Sequence, residues 1–186
     1  MPVVKLRNLE CRNAFRYPQD IENLLNYVAR PNATEYPLES NHYLIGAAPD
    51  IFLTDQPDAA IRTTNLLYRL NELYPHSGHS LMLHYIVSFG KDERTDPEMA
   101  FSLGQEIVRY YFDQGYISFF GVHTDTDNIH IHIAISTINW KNGRTFWLYD
   151  NLSKLQNGVA KWYQRYIDGN KMPLFTGAIE EFEEGA

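Results

Sequence analysis

The sequence is poor in cysteine, in positive charge and in long apolar runs. It holds a single cysteine, Cys11, which excludes an internal disulfide and any zinc site built on thiolates. One lone thiol fits a reducing compartment. No stretch approaches the roughly 18 consecutive apolar residues of a membrane helix. The N-terminus lacks the apolar centre of a signal peptide. The reading is therefore a cytoplasmic protein with no membrane contact. Lysine and arginine number 16 against 23 aspartates and glutamates, a formal charge of −7. That balance disfavours a surface that coats nucleic acid by bulk attraction, because phosphate contacts need Lys and Arg. The deficit is unevenly spread. Glu180, Glu181, Glu183 and Glu184 account for four of the seven excess charges, while Lys5, Arg7, Arg12 and Arg16 face only Glu10 at the start.

What is present suits one globular domain. The 186 residues are 44% hydrophobic and 14% aromatic, enough for a sizeable core. The reading places one domain over 1–178 and an acidic tail over 179–186. Val3 to Leu6 is a strand candidate. Pro18 to Ala29 has proline at its start and Ile21, Leu24, Leu25 and Val28 at helical spacing, with Arg30-Pro31-Asn32 as the stop. Tyr43 to Ala47 is apolar enough for a strand. Pro57 to Tyr74 and Pro97 to Phe112 predict two further helices. Between them Ser80 to Phe89 reads as a central strand covered on both faces. Asn142-Gly143 signals a tight turn, so Arg144 to Leu148 is expected to continue the sheet. Asn151 is the expected N-cap of a last helix to Ile167. The result is an α+β domain, a mainly antiparallel sheet with helices packed on one face.

One stretch carries chemistry. Residues 123–136 read His-Thr-Asp-Thr-Asp-Asn-Ile-His-Ile-His-Ile-Ala-Ile-Ser and contain three of the seven histidines. Strand side chains alternate between faces. Ile129, Ile131, Ile133 and Ile135 thus share the face that packs on helices, and His130 and His132 share the other. His123 ends the preceding strand-like run, Ser118 to Val122. The polar cluster between predicts a hairpin turn, which brings His123 back beside His130 and His132. Three imidazoles converging from two adjacent strands, with open coordination positions left over, form a metal site that can also take a substrate.

The pattern His123-x-Asp125-x-Asp127-Asn128-x-His130-x-His132 resembles the three-histidine motif of relaxases, the mobilisation nucleases of conjugative plasmids and transposons. These belong to the HUH endonucleases, named for a histidine–hydrophobe–histidine pair, and the wording is similar to that of the P-type mobilisation relaxases. Leu25-Asn26-Tyr27-Val28-Ala29-Arg30-Pro31 resembles the family's first motif, a helix carrying a nucleophilic tyrosine. His84-Tyr85-Ile86-Val87-Ser88-Phe89 resembles the second, a strand whose serine lies near DNA.

The resemblance implies a split βαβ-like palm and metal-dependent, strand-specific DNA nicking and strand transfer. His123, His130 and His132 would hold the metal, and Tyr27 would be the nucleophile. By their chemistry Asp125 could assist deprotonation of the nucleophile, Ser88 and Arg30 could contact phosphate, and His84 could help position the DNA substrate. Tyr36 and Tyr43 are fallback nucleophiles. Nitrogen donors suit Mn, Zn, Ni or Co, and the family implies Mg or Mn. Asp125 or Asp127 could accept from the second ring nitrogen of a ligating histidine. A phenol, with a pKa of roughly 10, needs a base or metal nearby to act. Its attack would give a 5′-phosphotyrosine and a free 3′-OH. Arg144 could add a phosphate contact, and Trp140, Trp147 and Trp162 base stacking, although packing explains the tryptophans as well. Expected partners are single-stranded or melted DNA at a transfer origin and accessory mobilisation proteins. The same residues also allow a rolling-circle replication initiator, a non-catalytic DNA- or partner-binding relative, and a hydrolase that uses water.

Overall fold

In the computed structural model, residues 1–7, 15–36, 43–49, 58–75, 80–145 and 148–169 are described. Among the described residues lie five strands and five helices, in the order β1 (Val3–Leu6), α1 (Pro18–Val28), α2 (Pro31–Thr34), β2 (Ile45–Ala48), α3 (Ala59–Leu73), β3 (Met82–Ser88), α4 (Pro97–Asp113), β4 (Tyr116–His123), β5 (His130–Asn139) and α5 (Leu148–Ile167). The strands form one sheet in the order β1-β3-β5-β4-β2. Every pairing is antiparallel, as the α+β reading expected.

Helices cover both faces of this sheet, not one. Ile131, Ile133 and Ile135 of β5 join Leu83, Tyr85 and Val87 of β3 in a core that includes Leu103 and Ile107 of α4 and Val159 and Trp162 of α5. On the opposite face Met82, Ala134, Phe119 and Ala47 pack with Ile21 and Leu25 of α1 and Leu67 of α3. The period-two pattern of β5 suggested a single apolar face. Ala134, however, is fully buried on the other face, where its small side chain lets helices approach closely. β3 is an interior strand, paired on both edges and buried on both faces from Met82 to Tyr85, in agreement with its mixed pattern.

The first helix is set by its composition. Pro18 opens it, the Asp20 carboxylate accepts from the Tyr17 backbone N–H at 2.8 Å, and Ile21, Leu24, Leu25 and Val28 are buried. Arg30-Pro31-Asn32 does end α1, but Pro31 then starts the single turn α2, a place where its fixed φ and missing N–H cost nothing. In α4, Asp96 caps the helix by accepting from the Met99 N–H at 2.8 Å.

Two expectations near residue 148 are revised, with residues 146 and 147 outside the described residues. Thr145 makes only an isolated bridge with Ile138, and Leu148 already lies in α5. Asn151 is therefore inside that helix and does not cap it. A short apolar run cannot by itself tell strand from helix. Leu152, Leu155, Val159, Trp162 and Tyr166, spaced three and four apart and packed in or against the core, show the period that extends back through it. Cys11, Arg12, Trp147 and the acidic tail 179–186 fall outside the described residues.

Candidate metal centre

The β4–β5 hairpin does what the alternation required. His123 pairs with His130, and Gly121 with His132, across the two strands. All three histidines therefore share the face of the sheet that α1 covers. Their rings lie 4.2 Å (His123–His132), 4.8 Å (His130–His132) and 5.2 Å (His123–His130) apart between centroids. One ligating nitrogen from each falls within 4.8 Å of the other two.

The hydrogen bonds say which nitrogen that is. His123 Nε2 lies 2.9 Å from the carbonyl oxygen of Val28. A carbonyl only accepts, so Nε2 carries the proton and Nδ1 keeps its lone pair. That Nδ1 is buried without a partner. His130 Nδ1 lies 3.0 Å from the Asn128 carbonyl oxygen and by the same logic donates, which leaves Nε2 as its lone-pair nitrogen. His132 Nδ1 meets His84 Nε2 at 2.8 Å, and His132 Nε2 is buried without a partner.

Buried polar atoms are nearly always satisfied, so two orphaned imidazole nitrogens on adjacent strands call for an occupant. A divalent cation that favours nitrogen donors fits the set. Burial also keeps His123 and His132 neutral. Desolvation pushes His123 down from the usual 6.5 to about 4, against the smaller upward pull of its bond to Val28. His132 is pushed lower still by desolvation and by its neighbours His123 and His84. Neutral imidazoles present lone pairs at neutral pH without cancelling the charge of a bound cation.

Tyr27 stands directly over this group. Its ring packs edge-to-face at 5.1 Å from His132 and 5.7 Å from His123, and at 6.2 Å from His84. It remains 42% exposed. The close seating of α1 depends on Gly121. A β-carbon there would collide with the Val28 carbonyl oxygen, the same atom that accepts from His123. Gly121 was not singled out in the sequence. A glycine inside an otherwise apolar strand next to a histidine motif was the available signal.

The fallback tyrosines make other contacts. Tyr36 packs against the α4 side of the sheet and donates to Glu98 at 2.7 Å. Tyr43 packs against the second core cluster, in a bridge with Glu35.

Arg30 lies just past α1. Its guanidinium stands 4.8 Å from the centre of the Tyr27 ring and donates to Asp125 Oδ2 at 2.7 Å. Asp127 is engaged by Lys91 instead. Neither aspartate orients a histidine of the trio. Backbone carbonyls serve His123 and His130, and His84 serves His132. Ser88 pairs with His130 across β3 and β5, on the histidine face and partly exposed. His84 is only 6% exposed, packs against Phe15 and Tyr27 and meets His132. Trp162 is a core residue at 1% exposure, whereas Trp140 stacks on Phe112 at 5.6 Å.

A sheet face with three convergent imidazoles beneath a helix that carries a half-exposed tyrosine forms a candidate metal centre. A family model described as relaxase, MobA/VirD2-like, nuclease domain matches residues 48–166, and the chain belongs to this family. Protein MobA of Acidithiobacillus ferrooxidans is 32% identical over 60 residues, covering 30% of this chain and 14% of that protein. The aligned stretch is thus a small part of that relative. His84, Ser88 and the three histidines lie within the family match. Tyr27 and Arg30 precede it. Among the described residues no helix is long and apolar enough to cross a membrane.

Proposed function

We propose that this domain nicks one strand of DNA and holds the cut end covalently on Tyr27, initiating mobilisation of a plasmid or transposon. The observation that carries this reading is the seating of the Tyr27 ring on His132 and His123. It puts a solvent-reachable phenol beside two buried nitrogens that have no partner.

His123 Nδ1, His130 Nε2 and His132 Nε2 would hold the cation, Mg or Mn by family habit and Mn, Zn, Ni or Co by donor type. When bound there, the ion would supply charge neutralisation and orientation for a phosphodiester. The chain's own residues supply the rest. The Tyr27 oxygen attacks phosphorus, forming the Tyr–O–P bond as the bond to the 3′ oxygen breaks. The leaving 3′ oxygen takes up a proton, and the phenolic proton is lost to water that reaches the half-exposed ring. The phosphodiester is exchanged for another, so reversal rejoins strands without an energy source.

Arg30 supports this chemistry from above the Tyr27 ring, where its positive charge favours a developing phenolate and can meet the incoming phosphate. We assign Asp125 to anchoring Arg30, the contact it makes, in preference to taking the phenolic proton. Ser88, on the exposed side of the histidine face, is a phosphate contact. The substrate is single-stranded or locally melted DNA, because a scissile phosphate within a duplex would not reach a ring seated on a sheet. The remaining acidic balance implies that accessory mobilisation proteins contribute to DNA capture.

The test is to tile the element that carries the gene as overlapping single-stranded oligonucleotides and incubate each with protein and Mn²⁺. A protein–DNA adduct that survives denaturation, on one oligonucleotide and its neighbours, is expected. Free 5′-phosphate ends without adduct would indicate a hydrolase using water. Metal binding with neither product would indicate the non-catalytic reading.

A further inference from the structure

His132 is the central ring of the trio, and a side chain orients it where backbone orients the others. Its Nδ1 lies 2.8 Å from His84 Nε2. Two imidazoles that share one hydrogen bond have two possible arrangements, because either nitrogen can carry the proton. Only one arrangement suits a ligand. If His132 Nδ1 carries the hydrogen and His84 Nε2 accepts it, His132 Nε2 has a free lone pair. In the reverse arrangement His132 Nε2 is protonated and points an N–H at the place where a cation would sit. The Val28 and Asn128 carbonyls offer no such choice for His123 and His130.

The sheet explains how His84 reaches its partner. The residue opposite His84 is Ala134, and the residue opposite His132 is Ile86. His84 and His132 are therefore diagonal neighbours across β3 and β5, within reach of long side chains. Ala134, opposite His84, carries only a methyl group, which crowds a neighbouring ring less than a larger side chain would. The edges of Phe15 and Tyr27 then close over the His84 ring at 6.2 Å each, with the two imidazoles 5.1 Å apart.

We propose that His84 is a positioning residue of the metal centre: by accepting a hydrogen bond at Nε2 it fixes the His132 proton on Nδ1 and so turns Nε2 of His132 into a ligand. This rests on the reading of the trio as a metal site. Carboxylates and backbone carbonyls are the usual partners of metal-binding histidines. An imidazole in that place adds no negative charge behind the ligand, which leaves more of the cation's charge for the phosphate.

The tautomer is observable without metal. In the ¹⁵N-labelled full chain near neutral pH, long-range ¹H–¹⁵N correlations of the imidazole rings report which nitrogen of His132 is protonated. Nδ1–H is expected. An Nε2–H pattern in the wild-type protein overturns the proposal, and that spectrum needs no variant. The second arm measures Mn²⁺ affinity by calorimetry. His84→Phe, which cannot accept, should weaken it by about 10–100-fold and move His132 to the Nε2–H form. His84→Glu, which only accepts, should keep both the Nδ1–H pattern and the affinity. Equal Mn²⁺ affinity and an unchanged tautomer in folded His84→Phe overturn the proposal, as does loss of both in folded His84→Glu. If the wild-type chain binds neither Mn²⁺ nor Co²⁺, the metal reading fails instead, and the metal-free spectrum still decides whether His84 sets the tautomer.

Discussion

The Tyr27 ring meets His132 at an interplanar angle of 86° with 5.1 Å between centroids. A helix end and a strand interior, more than a hundred residues apart in sequence, are thereby fixed against each other. Gly121 permits the approach, and the bond from His123 to Val28 fastens it. The proposed nucleophile and the proposed ligands form one packed unit, so changes in either should be felt by the other.

Metal binding should raise thermal stability. A cation that binds only the folded trio stabilises it by about 2.7 kcal/mol at a hundred times its dissociation constant. Scanning calorimetry with and without Mn²⁺ should show an upward shift in melting temperature that a chelator reverses. His123→Ala and His132→Ala should each abolish the shift. Each should also lower the metal-free stability by about 1–3 kcal/mol, since each empties a buried site and strands a polar partner. A shift that persists in both variants would place the cation elsewhere.

The Arg30–Asp125 pair should matter more for reaction than for folding. Both side chains are about one-third exposed, so breaking the pair should cost under about 1 kcal/mol of stability. Arg30→Ala should slow adduct formation by about 100-fold, the range seen when a charge-stabilising donor is removed. Asp125→Asn should slow it less. The double variant should be no slower than Arg30→Ala alone, because Asp125 acts through Arg30. Additive losses would return Asp125 to an independent role in proton transfer.

Gly121→Ala tests the seating of α1. The new methyl meets backbone, which cannot rotate aside, so a loss of about 1–3 kcal/mol is expected. In the folded variant, adduct formation should fall more steeply than Mn²⁺ affinity. His130 and His132 stay on the hairpin, while Tyr27 moves away with α1. Wild-type rates would show that the nucleophile does not depend on this contact.

The buried histidines give the metal-free protein a definite pH response. Burial holds His84 and His123 at about 4, below the usual 6.5. Below 6.5 the unfolded chain takes up protons that the folded chain refuses. Stability should therefore be full above pH 6.5 and fall progressively down to about pH 4. Urea titrations at stepped pH will measure it. A flat profile over that window would mean that the rings are not held neutral.

The sequence carried the site more clearly than the fold. The alternation of Ile131, Ile133 and Ile135 with His130 and His132 is a local pattern that survives any topology, and a five-residue polar turn admits little besides a hairpin. Tyr27 could be singled out only by the resemblance of residues 25–31 to a motif, because nothing local separates it from the other twelve tyrosines. The burial of both sheet faces, the extension of α5 back through Leu148, and the partner of His132 are tertiary facts. His84 is one polar residue in an apolar strand, and its role follows from Ala134 opposite it, a register no single segment contains. The acceptors for His123 and His130 proved to be backbone carbonyls, which sequence does not distinguish, while the conspicuous aspartates went to Arg30 and Lys91.

The most direct test of the account is to identify the residue that becomes linked to DNA. The Mn²⁺-dependent adduct should be isolated after denaturation, digested with protease and nuclease, and sequenced by mass spectrometry. The account predicts a nucleotide phosphate on Tyr27, with no adduct from Tyr27→Phe even though that variant binds Mn²⁺ as the wild-type protein does. A phosphate on Tyr36, Tyr43 or any other residue, or an undiminished adduct from Tyr27→Phe, would contradict it.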